Sequence, residues 1–237
     1  MKVFFVLFLN FGFILSQNLF FSEYIEGSSY NKALEIFNPA NDEIELTGWE
    51  LWRIANGGDW TEGKSNAVNL SNYVISATNV FVLCHSSIDS EYYSLCNLTG
   101  KNTTIFNGDD AIALTYNDVI IDVIGESGDD PGTGWDVAGE SNATKNHTLM
   151  RSSSITSGNG GDWTTSAGTN SDNSEWIVLS EDDFTNLGTH NCNSCSESVT
   201  ICDDNNACNF NEEGECTCPD ENECDCDGNV LDCADIC

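Results

Sequence analysis

A chain of 237 residues with 39 acidic and 7 basic side chains carries a formal net charge of −32, and its length suits one domain of ordinary size with something small attached. That charge excludes tight contact with nucleic acid phosphates or anionic lipid, because neutralising them takes Lys and Arg that are not here. Soluble partners are expected to be cationic or metal ions, although acidity that only keeps the protein soluble is the simpler reading.

Residues 1–17, MKVFFVLFLNFGFILSQ, place one Lys before an apolar run and end in small or polar residues. This is the layout of a secretory signal peptide, and the run is too short to make a convincing membrane span. The mature chain is therefore expected to begin near Gln17 or Asn18, with no membrane span, and to be secreted, extracellular or at the cell surface. Export gives the 12 cysteines an oxidising compartment in which to pair.

From Leu19 to about Asn191 short apolar runs alternate with Gly, Asn, Asp and Ser. The alternation predicts strands over Leu19–Tyr24, Ala33–Asn38, Glu43–Leu46, Trp49–Ala55, Val80–Cys84, Ala111–Tyr116, Val119–Ile124, Thr148–Arg151 and Trp176–Leu179. No segment sustains a helical period over three turns, although Ser90–Leu95 fits one short helical turn. Many short strands with frequent turn residues imply an all-β sandwich or barrel. Its core is expected to be built on Trp49, Trp52, Phe81, Trp135, Trp163 and Trp176.

Within this body, FNGDDAIALTYNDVIIDVIG (residues 106–125) reads as two strands joined through the polar tip Asn117-Asp118. It opens on Asn107, Gly108, Asp109 and Asp110. Asn-Gly is a turn dipeptide, since Gly tolerates positive φ and Asn can bond its own backbone. Adjacent carboxylates in a strand would face opposite sides and could not share a proton, so they are expected to accept backbone N–H bonds instead.

Several separated motifs agree with one family. FSEYIEGSSYNKALEIFNP (residues 21–39), IELTGW (44–49), FNGDDAIAL (106–114), DVIG (122–125), NATKNHTLMR (142–151), Glu175-Trp176 and NLGTH (186–190) together resemble the lamin tail domain as it occurs in secreted proteins. The resemblance runs in order from about Asn18 to Asn191. It implies an immunoglobulin-like β-sandwich used as a non-catalytic module, and further implies that Cys84 and Cys96 pair. Closing that segment contributes on the order of 3 kcal/mol if the loop model holds. Secreted relatives are often found beside hydrolase, nuclease or surface-anchoring domains, so an accessory role to such an enzyme is one alternative.

After Asn191 the composition changes. Residues 192–237 hold ten cysteines, thirteen Asp or Glu and no Lys or Arg. A segment so small and polar cannot bury enough apolar surface to fold alone, so cross-links or bound ions must supply its order. The expected division is thus signal peptide 1–17, sandwich 18–191, and a disulfide-rich, irregular acidic tail 192–237, with the chain open to continuing past Cys237. The tail's disulfide candidates are Cys192, Cys195, Cys202, Cys208, Cys216, Cys218, Cys224, Cys226, Cys233 and Cys237. Cys192-Asn-Ser-Cys195 has zinc-ligand spacing, yet export favours a disulfide.

Asp225, Asp227, Asn229 and Asp232 form a D-x-D-x-N-x-x-D run around Gly228, whose alternating hard oxygens suit Ca²⁺. An acidic loop between disulfides is the competing reading, and calcium is the only cofactor the sequence suggests. It would make the tail part of a calcium-dependent adhesion or stalk element.

Catalysis is not expected. His85, His147 and His190 make no nucleophile–base arrangement, and neither HExxH nor GxSxG is present. The partner is expected to be a protein or surface component rather than nucleic acid, met by loops at the ends of the sandwich. The repeat Gly57-Gly-Asp-Trp-Thr and Gly160-Gly-Asp-Trp-Thr reads as coincidence or paired core tryptophans, and otherwise as two loops exposing Trp60 and Trp163. Five Asn-x-Ser/Thr sequons, at Asn69, Asn97, Asn102, Asn142 and Asn146, decide nothing by themselves.

Overall fold

In this computed structural model residues 18–128, 130–193 and 195 are described. Alternating apolar and β-branched residues form strands wherever one set of side chains can turn inward. The larger sheet takes β1 (Phe20–Glu26), β2 (Lys32–Phe37), β7 (Val80–Cys84), β8 (Leu98–Thr99), β11 (His147–Arg151) and β12 (Trp176–Leu179). The smaller takes β4 (Trp49–Ile54), β5 (Val68–Asn69), β9 (Ala111–Tyr116) and β10 (Val119–Ile124). A two-stranded ribbon pairs β3 (Ile44–Glu45) with β6 (Val74–Ile75).

Strand order is β12-β11-β1-β2-β7-β8 in the six-stranded sheet and β10-β9-β4-β5 in the four-stranded one. All pairings are antiparallel except β7 with β8. Phe21, Tyr24, Leu34, Ile36, Phe81 and Leu83 of the larger sheet meet Trp49, Leu51, Ile112, Leu114 and Val123 of the smaller in one buried cluster. Facing sheets that interleave their inner side chains make a β-sandwich, and this one is immunoglobulin-like.

The β9–β10 hairpin turns at Asn117 and Asp118, with φ of 47° and 68°. Two successive positive φ values define a type I′ tip, which Asn and Asp tolerate because their short side chains bond locally. At the larger sheet's other face, Ile25, Ala33, Val82 and Cys84 are buried under Ile88, Phe184 and Leu187. The segment holding Ile88 is pinned by a disulfide between Cys84 and Cys96.

Two helices were not foreseen. α1 (Trp60–Ser65) and α2 (Trp163–Ala167) each start at the Trp of the Gly-Gly-Asp-Trp-Thr repeat. The preceding Asp is the N-cap in both. Asp59 accepts from Thr61 N and Glu62 N, and Asp162 from Thr165 N, satisfying amides that a helix start leaves without partners. The reading of Trp60 and Trp163 as exposed aromatics is thereby corrected. Trp163 is 2% exposed and packs 6.3 Å from Trp176, while Trp60 is half-buried against the same core. Trp135, expected inside, is also only half-buried. The helical turn expected over Ser90–Leu95 is a single 3₁₀ turn at Tyr93–Leu95.

Chain contacts divide the molecule into Met1–Ser196 and Glu197–Cys237. Cys202, Cys208, Cys216, Cys218, Cys224, Cys226, Cys233 and Cys237, with Asp225, Asp227, Asn229 and Asp232, lie outside the described residues. Residues 1–17 do as well. Among the described residues no helix is long and apolar enough to cross a membrane.

Candidate functional site

The turn Asn107–Asp110 lies where β9 begins, at one end of the sandwich. Asp110 N donates to Asn107 O at 3.1 Å, and Asp110 Oδ2 accepts from Asn107 N at 3.2 Å. The carboxylate also receives Asn56 N through Oδ1 at 3.2 Å and Arg53 Nη1 through Oδ2 at 3.0 Å. Burial pushes the Asp110 carboxyl up from its ordinary value, and Arg53 with the two backbone donors holds it back. Asp109, its neighbour, is buried with Oδ1 unpartnered. Asp110 therefore accepts backbone N–H bonds as the turn reading expects, whereas Asp109 Oδ1 accepts none, and the Asp109 charge helps to raise Asp110.

Gly108 is required for closeness, not for its φ. A Cβ there would stand 2.3 Å from Lys145 Cβ and 2.7 Å from Lys145 Cα, so only Gly admits the chain at 142–146. That chain braces the turn. Thr144 Oγ1 donates to Gly108 O at 2.6 Å, Tyr24 OH to Thr144 O at 2.8 Å, and Asn146 N to Glu26 Oε2 at 2.6 Å. The motifs at 106–114 and 142–151, far apart in sequence, are one bonded unit.

Beside the turn opens a cleft of about 360 Å³, lined among others by Tyr30, Lys32, Arg53, His85, Ile105 and Asp110. Its charges are compensated: Lys32 pairs with Glu26 and Arg53 with Asp110. Lys32 Nζ also sits 5.8 Å from the Phe106 ring centroid, and Phe106 stacks on Tyr24 at 4.8 Å. Arg53 Nε donates to Asn102 O at 3.0 Å. The rim is apolar and open. Tyr30 and Ile105 are each 55% exposed, and Tyr30 stacks on His85 with ring centroids 4.7 Å apart. Neutralised cations, amides and aromatic faces around a shallow opening suit recognition of a partner's side chains.

Cys192 and Cys195 form a disulfide, which leaves no thiolate at that spacing for zinc. Sequence reasoning found the turn residues Asn107, Gly108, Asp109 and Asp110 but missed the cleft beside them. Tyr30, Lys32, Arg53 and His85 come from three strands or their ends, and only the fold assembles them.

A two-sheet sandwich with an open, charge-compensated cleft at one end defines the body as an immunoglobulin-like module. Residues 15–128 match the family model described as Lamin Tail Domain, and over that stretch the chain is similar to that family. The match ends after β10, whereas β11 and β12 complete the same six-stranded sheet. No curated protein matches the chain.

Proposed function

We propose that the protein works outside the cytoplasm, secreted or held at the cell surface, as a non-catalytic binding and spacer module whose cleft at Tyr30, His85 and Ile105 receives a protein or surface partner. The observation that carries this reading is the pair of half-exposed apolar side chains, Tyr30 and Ile105, at the mouth of a cleft whose floor is locked by salt bridges. Aromatic anchors on a rigid scaffold are where binding energy concentrates. The leader-like first seventeen residues and the Cys84–Cys96 bond support export.

The test places a photo-crosslinking residue at Ile105 in protein recovered from the medium or surface of the producing cells. A defined partner is expected to be captured, and Tyr30→Ala to abolish capture without lowering the melting temperature. Recovery from the cytosol with reduced cysteines, or capture indifferent to Tyr30, would sink the reading.

A second reading rests on the run Asp225, Asp227, Asn229 and Asp232, whose oxygens suit calcium. In it the tail orders on the ion and serves calcium-dependent adhesion or a stalk. Adding EDTA is then expected to raise the tail's protease sensitivity, and no change removes the idea.

A further inference from the structure

From the end of β12 the chain between Ser180 and Asn191 returns across the outer face of the larger sheet. Phe184 and Leu187 of this strap cover Ile25, Ala33 and Val82, and Phe184 stacks on Tyr92 at 3.8 Å. Beneath it two carboxyls stand directly opposite each other on β1 and β2, Glu23 and Glu35. Each is 1% exposed.

Their bonding is unequal. Glu35 Oε1 accepts Ser22 Oγ at 2.7 Å, and Oε2 accepts the strap's Gly188 N at 2.7 Å. Neither carboxyl oxygen of Glu23 has a partner. From the strap, Asp183 adds a further negative charge against Glu23. The neighbouring strands bring Met150 of β11 opposite Glu23 and Val82 of β7 opposite Glu35. Among the described residues no Lys, Arg or His forms an ion pair with either carboxyl. The strap's other acid within bonding reach of the body, Asp182, is tied to Ser28 and Asn31. Its histidine, His190, lies edge-on to Phe20 and Phe37.

We propose that Glu23 and Glu35 form a proton-held latch, in which the closed strap requires a retained proton on this carboxyl pair and loss of it releases Ser180–Asn191 from the sheet. Two buried carboxylates facing each other without a counter-ion cannot both ionise at ordinary cost. Burial, then repulsion from Glu35 and Asp183, pushes Glu23 up to about 9. Burial raises Glu35 to about 7, against the bonds from Ser22 and Gly188.

Both closed-state values lie above the ordinary 4.5. The latch's stabilisation is therefore fully present below that value, and it is lost as pH rises through the closed-state values. His190 works in the opposite sense. Burial, then Arg151, lowers it from 6.5 to about 4, so its contribution is complete above 6.5 and fades as pH falls. Loosening is thus steepest just above pH 6.5, where His190 no longer offsets the carboxyls.

Amide hydrogen exchange on the full oxidised chain tests the latch. Protection of the Leu187 and Gly188 amides, corrected for intrinsic pH dependence, is expected to fall at least about tenfold between about pH 6.5 and 8.5. The Glu23→Gln/Glu35→Gln variant, which cannot titrate there, is expected to show a flat profile. Wild-type protection that does not change with pH, or a variant that keeps the wild-type fall, overturns the proposal. Should the variant not fold, the side-chain carboxyl ¹³C shifts of the wild-type protein decide: a midpoint above about 6 for either residue supports the latch, and two midpoints below about 5 overturn it.

Discussion

Arg151 of β11 and Asp122 of β10 join the two sheets through a single ion pair, Nη2 to Oδ1 at 3.2 Å, with neither side chain exposed. Asp122 also accepts Phe21 N at 2.8 Å and Asn159 N at 2.9 Å, and Arg151 bonds Glu175 at 3.1 Å while lying 4.5 Å from the Trp176 ring centroid. Removing Asp122 leaves the buried Arg151 with Glu175 alone and deprives the Phe21 and Asn159 amides of their acceptor. Asp122→Ala is expected to cost about 3–5 kcal/mol in urea denaturation. The double change Asp122→Asn/Arg151→Met is expected to lose less than the sum of the single changes, because the charges leave together.

The Cys84–Cys96 disulfide closes the segment that carries Ile88 and Tyr92 onto the outer face. Cys84→Ala/Cys96→Ala is expected to lower stability by about 2–4 kcal/mol. Proteolysis under native conditions is expected to begin within residues 85–96 in the variant and not in wild type.

Tyr30 and Trp163 separate recognition from folding. Tyr30→Ala touches an exposed ring and is expected to leave unfolding within about 0.5 kcal/mol of wild type. Trp163→Ala opens the core beside Trp176 and is expected to cost about 3–5 kcal/mol. Thermal or chemical denaturation of the two variants side by side checks both.

Asp59 and Asp162 have carboxyls held below the usual 3.8, chiefly by backbone N–H bonds from Glu62 and Thr165 respectively. Lowered values mean that capping is complete above the ordinary value and lost as pH falls through the folded-state value. Asp162→Asn keeps an acceptor and cannot titrate, so amide protection in α2 is expected to stay level from about pH 5 to about pH 2.5 while that of wild type drops.

Much of the sandwich was legible because its long strands alternate. Val80–Cys84, Ala111–Tyr116, Val119–Ile124 and Trp176–Leu179 form over the expected residues. The two-residue strands β5, β6 and β8 are too short to show any period. α1 and α2, of 6 and 5 residues, are equally short for a 3.6-residue pattern, although Gly-Asp before each Trp was a capping signal open to reading. Nothing local marks Glu23 and Glu35 as buried, since charge on alternate strand positions is ordinarily a feature of the wet face. The strap that bonds Glu35, some 150 residues further on, and the segment holding Ile88 cover that face.

Among the described strands β1 comes earliest in the chain, yet it sits inside the larger sheet, flanked by β2 on one side and β11 on the other. Its second neighbour does not exist until His147–Arg151 has left the ribosome. Until then Glu23–Glu26 has one edge unpaired, so completion of the sheet waits for late-arriving chain, and such high contact order is expected to slow folding.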